Sequence, residues 1–153
     1  KPVVLHDMYK KLGFDPKGID QISALANDPI PGGIAGTLFF VARFLAQFKR
    51  NSGDFGTGTT KTLDLKQDAF RHAYWSYLVT QLFAADLAKG FGDAHEISTP
   101  NPAGGRLMDL YNNNTGRKLA LDPANKGRPA DVVILDALRQ GQLQTRPFAI
   151  KSP

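Results

Sequence analysis

Three short polar segments hold most of the side chains in this sequence that could do chemistry. They are Asp68–Trp75 (DAFRHAYW), Asp93–Glu96 (DAHE) and Met108–Arg117 (MDLYNNNTGR). Together they contain two of the three histidines, the single tryptophan and a run of three asparagines. A helical core requires apolar stripes, but it does not require acids, amides and imidazoles at helical spacing. We therefore interpret the three segments as parts of one functional site.

The first segment places a histidine four residues after an acid. Residues three and four apart share one face of a helix, so Asp68 and His72 lie together, with Trp75 on the same stripe. An acid that accepts a ring N–H fixes the histidine tautomer and leaves the other nitrogen free as a base or a metal ligand. We predict that Asp68 and His72 are catalytic and that Arg71 binds the substrate. A purely structural hydrogen bond is the simpler alternative.

The second segment supplies a further histidine and acid. His95 and Glu96 are predicted to be catalytic and also, with Asp109 from the third segment, to be metal ligands. Histidines combined with carboxylates suit Zn²⁺, whereas carboxylate and amide oxygens alone suit Ca²⁺ or Mg²⁺. The sequence therefore leaves the divalent ion open among these three. If no metal is used, His72 or Glu96 is the predicted general base.

The third segment breaks the usual rules for a helix. Asn is a poor helix former and Gly is worse, yet three asparagines and Gly116 lie in one helical stretch. Violations of local rules are expected at functional sites. Asn112, Asn113 and Arg117 are accordingly predicted to bind the substrate, and Arg117 or Arg71 would neutralise a phosphate or an oxyanion. A fraying helix end is the alternative for the asparagine run.

The elements that position these segments are predicted to be helices, and no alternating strand pattern is present. The predicted helices are Val3–Leu12 closed by Gly13, Ile19–Ala26, Ile34–Phe48, Leu63–Lys89 with Gly90 as its stop, Gly105 or Arg106 to Leu121, and Asp131–Arg139. Because Gly90 is taken to end the long helix, Asp93 is predicted to cap a short new one. The fold class is mainly α: a single compact domain over residues 1–153, with about six helices and a long central helix that bears a motif.

The stretch Ile34–Phe48 is the most apolar part of the chain. It is shorter than the roughly 20 residues that a membrane span requires. A central buried helix is one interpretation. A helix that contacts lipid or a partner protein is the other, because its aromatic residues occupy more than one face.

The overall charge and the absence of cysteine narrow the function further. The formal net charge of +5 favours anionic partners such as phospholipid, a cell-wall precursor or nucleic acid. Basic residues are dispersed, which excludes a dedicated nucleic-acid arm. The absence of cysteine excludes disulfides, thiolate catalysis and Cys-based zinc sites. A start at Lys1 without methionine predicts the C-terminal fragment of a longer protein.

The three motifs together resemble an uncharacterised family of bacterial domains found in secreted proteins and at the C-terminal ends of polymorphic toxins. The resemblance covers about a third of the chain, at Asp68–Trp75, Asp93–Glu96 and Met108–Arg117. It implies a toxin or effector that is secreted or delivered into a target cell. The apolar Ile34–Phe48 segment and the positive charge favour the envelope as its place of action. A cognate immunity protein is the partner expected for such a domain.

Three functions remain open at this point. The first is a hydrolase that acts on an envelope lipid, cell-wall precursor or glycan, with or without a metal ion at the predicted ligands. The second is a toxin nuclease that uses the same site. The third is a non-enzymatic helical module whose Ile34–Phe48 helix contacts a membrane or a partner.

Overall fold

A computed structural model of the protein describes residues 1–16 and 31–153, without the side chain of Pro31. The helices in this part of the chain are α1 (Leu5–Leu12), α2 (Pro31–Asn51), α3 (Thr60–Leu82), α4 (Ala85–Ser98), α5 (Ala103–Leu121) and α6 (Ala130–Arg139). A single 3-10 turn at Pro123–Asn125 follows α5. The predicted mainly α class is confirmed. The predicted helix Ile19–Ala26 lies outside the described residues.

Helix α3 is the central element, and α2, α4, α5 and α6 all pack against it. It begins where the Thr59 hydroxyl accepts a hydrogen bond from the backbone N–H of Thr62 at 3.1 Å, a standard N-terminal cap. Its side chains Phe70, Tyr77 and Val79 are almost completely buried. The structure therefore contains a central helix that bears the first motif.

The prediction that one helix runs from Leu63 to Lys89 is wrong. The backbone leaves the helical conformation at Phe83 and Ala84, so α3 ends at Leu82 and α4 begins at Ala85. Gly90 does not stop a helix but lies within α4. Gly92 lies there too, and a Cβ added to it would stand 2.9 Å from the Asn113 amide nitrogen. Gly92 therefore permits close packing of α4 against Asn113, and neither glycine marks the end of a helix.

Both ends of the described chain are tied to the same part of the fold. Strand β1 (Val3–Val4) pairs in parallel with β2 (Ile150–Lys151), so Val3 and Val4 are extended and not helical as predicted. The backbone N–H of Phe148 donates to the carbonyl of Gly104 at the start of α5. The C-terminal segment therefore crosses α5, a long-range pairing that no local pattern in the sequence indicates.

Helix α2 is only partly buried. Its fully buried residues are small, Ala35, Ala42 and Ala46, and half-buried Leu38, Phe39 and Leu45 pack against the core beside them. Phe40, Phe44 and Phe48, in contrast, are 60%, 74% and 65% exposed. The interpretation of Ile34–Phe48 as a central buried helix is therefore wrong. No helix among the described residues combines the length and hydropathy needed to cross a bilayer.

Candidate functional site

Side chains from three helices meet at His72. Its Nε2 atom lies 3.8 Å from a carboxylate oxygen of Glu96 on α4 and 3.6 Å from one of Asp109 on α5. All three residues are buried. The structure thus brings together one residue from each of the three sequence segments, as the sequence analysis predicted. These distances exceed a normal hydrogen bond, so the three groups surround a small space.

The orientation of His72 is fixed by its own helix. Its Nδ1 atom lies 2.9 Å from the backbone carbonyl oxygen of Asp68. The carboxylate of Asp68 is farther away, at 3.5 Å, and is paired with Arg71. The predicted role of the Asp68 side chain is therefore wrong in detail, because the residue holds the imidazole mainly through its carbonyl. A carbonyl can only accept, so Nδ1 carries the proton and Nε2 keeps its lone pair.

Burial keeps this histidine neutral. Loss of solvation lowers the pKa of His72, and the nearby charge of Asp68 offsets this only in part. His95 is partly exposed on α4, and burial lowers its pKa as well. Two neutral imidazoles at one site are the form that binds a metal ion or accepts a proton.

Glu96 and Asp109 form a hydrogen-bonded carboxyl pair. Burial raises the pKa of Glu96 to about 7. Burial and the charges of Glu96 and Asp68 raise the pKa of Asp109 to about 10. Asn101, which precedes α5, donates a hydrogen bond to Asp109 at 3.1 Å. Like charges in a poorly solvated place cannot both ionise easily, so the pair holds a proton near neutral pH.

The donor atoms form two overlapping groups that could each hold a metal ion. One consists of His72, His95 and Glu96, and the other of Asp68, His72 and Asp109; within each group the atoms lie within 4.8 Å of one another. The predicted ligand set of His95, Glu96 and Asp109 is thus divided between the two groups. His72 belongs to both, which makes it the centre of the site.

A cavity of about 350 Å³ opens beside this cluster. Its lining is mainly apolar, from Gly32, Ala35, Gly36, Phe39, Trp75, Phe91, Gly92 and Ala94. Polar side chains line it at His72, His95, Ser98 and Asn113. The Trp75 indole N–H donates to the Ala35 carbonyl at 2.9 Å, which ties α2 to α3 at the cavity wall. The volume lies within the range of small-molecule sites.

Asn113 is the predicted substrate-binding residue that the structure brings to the cavity. It is 2% exposed, and its side-chain oxygen has no hydrogen-bond partner in the part of the chain that the structure describes. Leaving a buried amide oxygen without a partner costs free energy. The arrangement therefore leaves an acceptor available to a molecule that enters the cavity.

Two other predicted substrate-binding residues lie elsewhere. Both polar atoms of the Asn112 side chain are bonded to the backbone of Gln144, each at 2.8 Å. Arg117 is buried, donates to Asn114 at 3.2 Å, and feels the charge of Asp93. Neither residue lines the cavity, and substrate binding by Asn112 and Arg117 stays a prediction.

Asp93 and Arg71 complete the predicted set. Asp93 lies in the middle of α4 and pairs with Lys89, so its predicted role as a cap is wrong. Arg71 pairs with Asp68, and its guanidinium carbon lies 5.7 Å from the centre of the Phe39 ring at the cavity wall. Arg71 therefore lies beside the site, and its contact with a substrate stays a prediction.

The glycine in the third segment has a packing role. A Cβ added to Gly116 would overlap the backbone carbonyl oxygen of Ala73 on α3. Its presence allows α3 and α5 to cross closely. Sequence reasoning attributed this glycine to function and missed Phe39 and Asn101, for which no local signal exists. Both reach the site through contacts between distant elements.

Comparison with known proteins adds one match. Residues 49–142, more than half of the chain, match the family described as "Domain of unknown function (DUF6973)". The matched range includes all three polar segments. No curated protein and no solved structure shows a significant match.

Proposed function

The chain belongs to the DUF6973 family of domains of unknown function, and from this premise we propose that it is a metal-dependent hydrolase of the toxin or effector type. Its substrate is a phosphate-bearing molecule of the bacterial envelope, either a lipid or a cell-wall precursor. One observation carries the proposal: the lone pair of His72 Nε2 faces two carboxyl groups at 3.6 Å and 3.8 Å.

These distances suit a shared ion better than direct contact. Two ligands on a tetrahedral Zn²⁺, with bonds of about 2.0–2.1 Å, are about 3.3 Å apart. The separations around His72 are only slightly larger, so a small movement of the side chains would complete a coordination sphere. The Nδ1–carbonyl contact of His72 is the kind of outer hydrogen bond that orients a metal ligand.

The charge balance supports a cation at the same place. Asp68, Glu96 and Asp109 lie close enough to affect one another's ionisation, and of these only Asp68 is paired with an arginine. Buried carboxylates require a counter-charge or a proton. A divalent ion would supply that charge. The mixture of imidazole and carboxylate ligands favours Zn²⁺ or a similar transition metal over Ca²⁺.

In the proposed reaction, one water molecule is added across a phosphate ester bond. The water oxygen bonds to phosphorus, the ester P–O bond breaks, and no oxidant or reductant is needed. Asp109 in its ionised form takes the water proton and passes it to the leaving oxygen. An ion held by His72, His95 and Glu96 would increase the acidity of the water and would stabilise charge on the phosphoryl oxygens.

Two features favour a phosphate ester of a lipid over the other substrates. The carboxyl groups of Glu96 and Asp109 are hydrogen-bonded to each other, whereas retaining glycosidases hold theirs about 5 Å apart. Among the described residues no lysine or arginine lines the cavity, whereas sites for single-stranded nucleic acid follow the phosphate backbone with a basic groove. Both features argue against the glycan and nuclease alternatives.

The test compares His72→Ala with His6→Ala, a matched change at an exposed histidine outside the site. Metal content after purification and Zn²⁺ or Mn²⁺ titration measure binding. Release of phosphate or alcohol from phospholipid, lipid-linked cell-wall precursor, a soluble phosphodiester and nucleic acid measures activity. We expect His72→Ala alone to lose both, with its circular dichroism unchanged. Equal activity of the two variants would contradict the proposal, and cleavage of nucleic acid alone would favour the nuclease.

Delivery and place of action are tested in cells. The proposal expects growth arrest when the domain is directed to the periplasm of a bacterium, and no arrest with His72→Ala. Arrest only from the cytoplasm would contradict action at the envelope. Rescue by a protein encoded beside the natural gene would identify the expected immunity partner.

A further inference from the structure

We infer that the substrate is an amphipathic phosphate ester taken from a lipid surface, with its hydrocarbon chain in the cavity beside α2. In this arrangement the phosphate faces His72, and the exposed phenylalanines of α2 rest on the lipid. The inference rests on the proposed function, because it names the substrate class of the same site.

The cavity has the size and the polarity of a site for a short hydrocarbon chain. Its 350 Å³ correspond to about twelve methylene-sized groups, if each takes about the volume of a water molecule, about 30 Å³. Phe39, Trp75 and Phe91 supply aromatic walls, and polar atoms are confined to a few side chains that include His72 and Asn113. One molecule could therefore place a chain against the aromatic walls and its head group against the polar side chains.

The outer face of α2 is a continuous apolar surface. Phe40, Phe44 and Phe48 follow one another at intervals of four residues and therefore form one stripe along the helix. Ile34 and Val41 add to this surface, at 41% and 44% exposure. Isolated exposed apolar residues are normal, but a contiguous stripe of large ones marks a contact with lipid or protein.

Two observations favour lipid as the occupant of this stripe. The stripe begins beside the cavity, because Gly36 lines the cavity and lies one turn before Phe40 on the same face of the helix. The charge of α2 is also suitable: its sequence contains no acid, and Arg43 can meet an anionic surface, whereas Lys49 and Arg50 are paired with acids on α6 and α3. Arg43 is exposed within the stripe. Aromatic and basic residues together on one helix are typical of a helix that lies in the membrane interface.

The first experiment uses Trp75 as a probe of the cavity. It is the only tryptophan in the chain and lines the cavity, so its emission reports the entry of a ligand. Butyl, hexyl, octyl and decyl phosphate are titrated as monomers. We expect the dissociation constant to fall by up to about fourfold for each added methylene, which corresponds to about 0.8 kcal/mol. Inorganic phosphate is the head-group control.

Two glycines of α2 provide a matched pair of variants. Gly36 lines the cavity and Gly33 does not, and a Cβ added to either meets no atom within 4 Å. Gly36→Leu should therefore fill the cavity without disturbing the fold, and Gly33→Leu is its control. We expect weaker decyl phosphate binding, by about tenfold or more, only in Gly36→Leu. An affinity that does not depend on the length of the hydrocarbon chain, or that is equal in the two variants, would overturn the proposed binding of that chain in the cavity.

The second experiment measures partition onto vesicles of phosphatidylglycerol and of phosphatidylcholine by co-sedimentation. The double variant Phe40→Ser/Phe44→Ser is compared with Leu121→Ser, which changes a 63% exposed leucine on α5. We expect the wild type and Leu121→Ser to bind phosphatidylglycerol, and the double variant to bind at least about tenfold more weakly. Equal binding of all three proteins would overturn the lipid contact. A concentration-dependent dimer that the double change abolishes would assign the stripe to a second copy instead.

Neither binding experiment depends on turnover, so the two proposals can fail separately. If the protein binds alkyl phosphates and vesicles but cleaves no ester, the hydrolase proposal fails and the lipid contact stands. If the protein cleaves a soluble phosphodiester but binds neither alkyl phosphates nor vesicles, the lipid inference fails and the hydrolase proposal stands.

Discussion

The Ser76 hydroxyl donates a hydrogen bond to the backbone carbonyl of Asn113 at 2.7 Å, and this contact sets the register between two helices. Ser76 lies one turn after His72 on α3, and Asn113 lies one turn after Asp109 on α5. Both polar groups of the contact are buried. The meeting of His72 and Asp109 is thus accompanied by a second contact between the same two helices.

This register depends on the close crossing of α3 and α5 at Gly116. We expect Gly116→Ala to destabilise the protein by about 1–3 kcal/mol, because the new methyl group would overlap the Ala73 carbonyl and separate the helices. Metal affinity should fall as well. Urea unfolding measures the change, and Gly33→Ala, at an exposed position of α2 with free space, is the control and should be neutral or stabilising. A fully stable Gly116→Ala variant would contradict the packing role of this glycine.

Neighbouring asparagines should respond in opposite ways. Asn113→Ala removes an amide whose oxygen has no partner among the described residues, so we expect little loss of stability and about a tenfold or larger loss in kcat/KM. Asn112→Ala removes both hydrogen bonds to Gln144 and should lower the free energy of unfolding by about 1–3 kcal/mol. Steady-state kinetics and urea unfolding of both variants make the comparison. A reversed pattern would place the substrate on the other side of α5.

The stability of the metal-free protein should fall as the pH rises from about 5 to about 8. Burial raises the pKa of Glu96 from 4.5 to about 7, so in this window the folded state binds more protons than the unfolded state. Stability therefore falls with pH, by about 3 kcal/mol for this group. The raised pKa of Asp109, at about 10, acts in the same direction.

Urea unfolding in the presence of a chelator measures this dependence. Glu96→Gln should reduce the slope, and Asp86→Asn, at an acid near the start of the same helix, is the control. A free energy of unfolding that rises over this pH range would show that the carboxyl pair is not buried as described.

Metal binding should release protons near neutral pH. The hydrogen-bonded pair of Glu96 and Asp109 holds a proton there, and ligands must be deprotonated to bind an ion. Calorimetric titration with Zn²⁺ in two buffers of different ionisation enthalpy gives the number of protons released. We expect the wild type to release about one proton or more for each bound ion at pH 7, and Glu96→Gln to release fewer. Binding without proton release would place the ion away from the carboxyl pair.

Much of the site follows from helical spacing alone. Periodicity puts Asp68 and His72 on one face, and likewise Asp109 and Asn113, because these relations span a single turn. Residue types indicated that the three segments belong together, and the structure places His72, Glu96 and Asp109 side by side. The mainly α class was predictable for the same reason.

Tertiary packing decided the rest. Gly92 and Gly116 look like helix breakers in the sequence, yet both permit close contact with another helix. Asn112 and Asn113 are adjacent and chemically identical, but one is bound by Gln144 and the other lines the cavity. The sequence by itself determined which side chains share a helix face, since a face is set within a few residues. Only the packing of distant elements determined what each face meets, because those contacts depend on the shape and spacing of the whole fold.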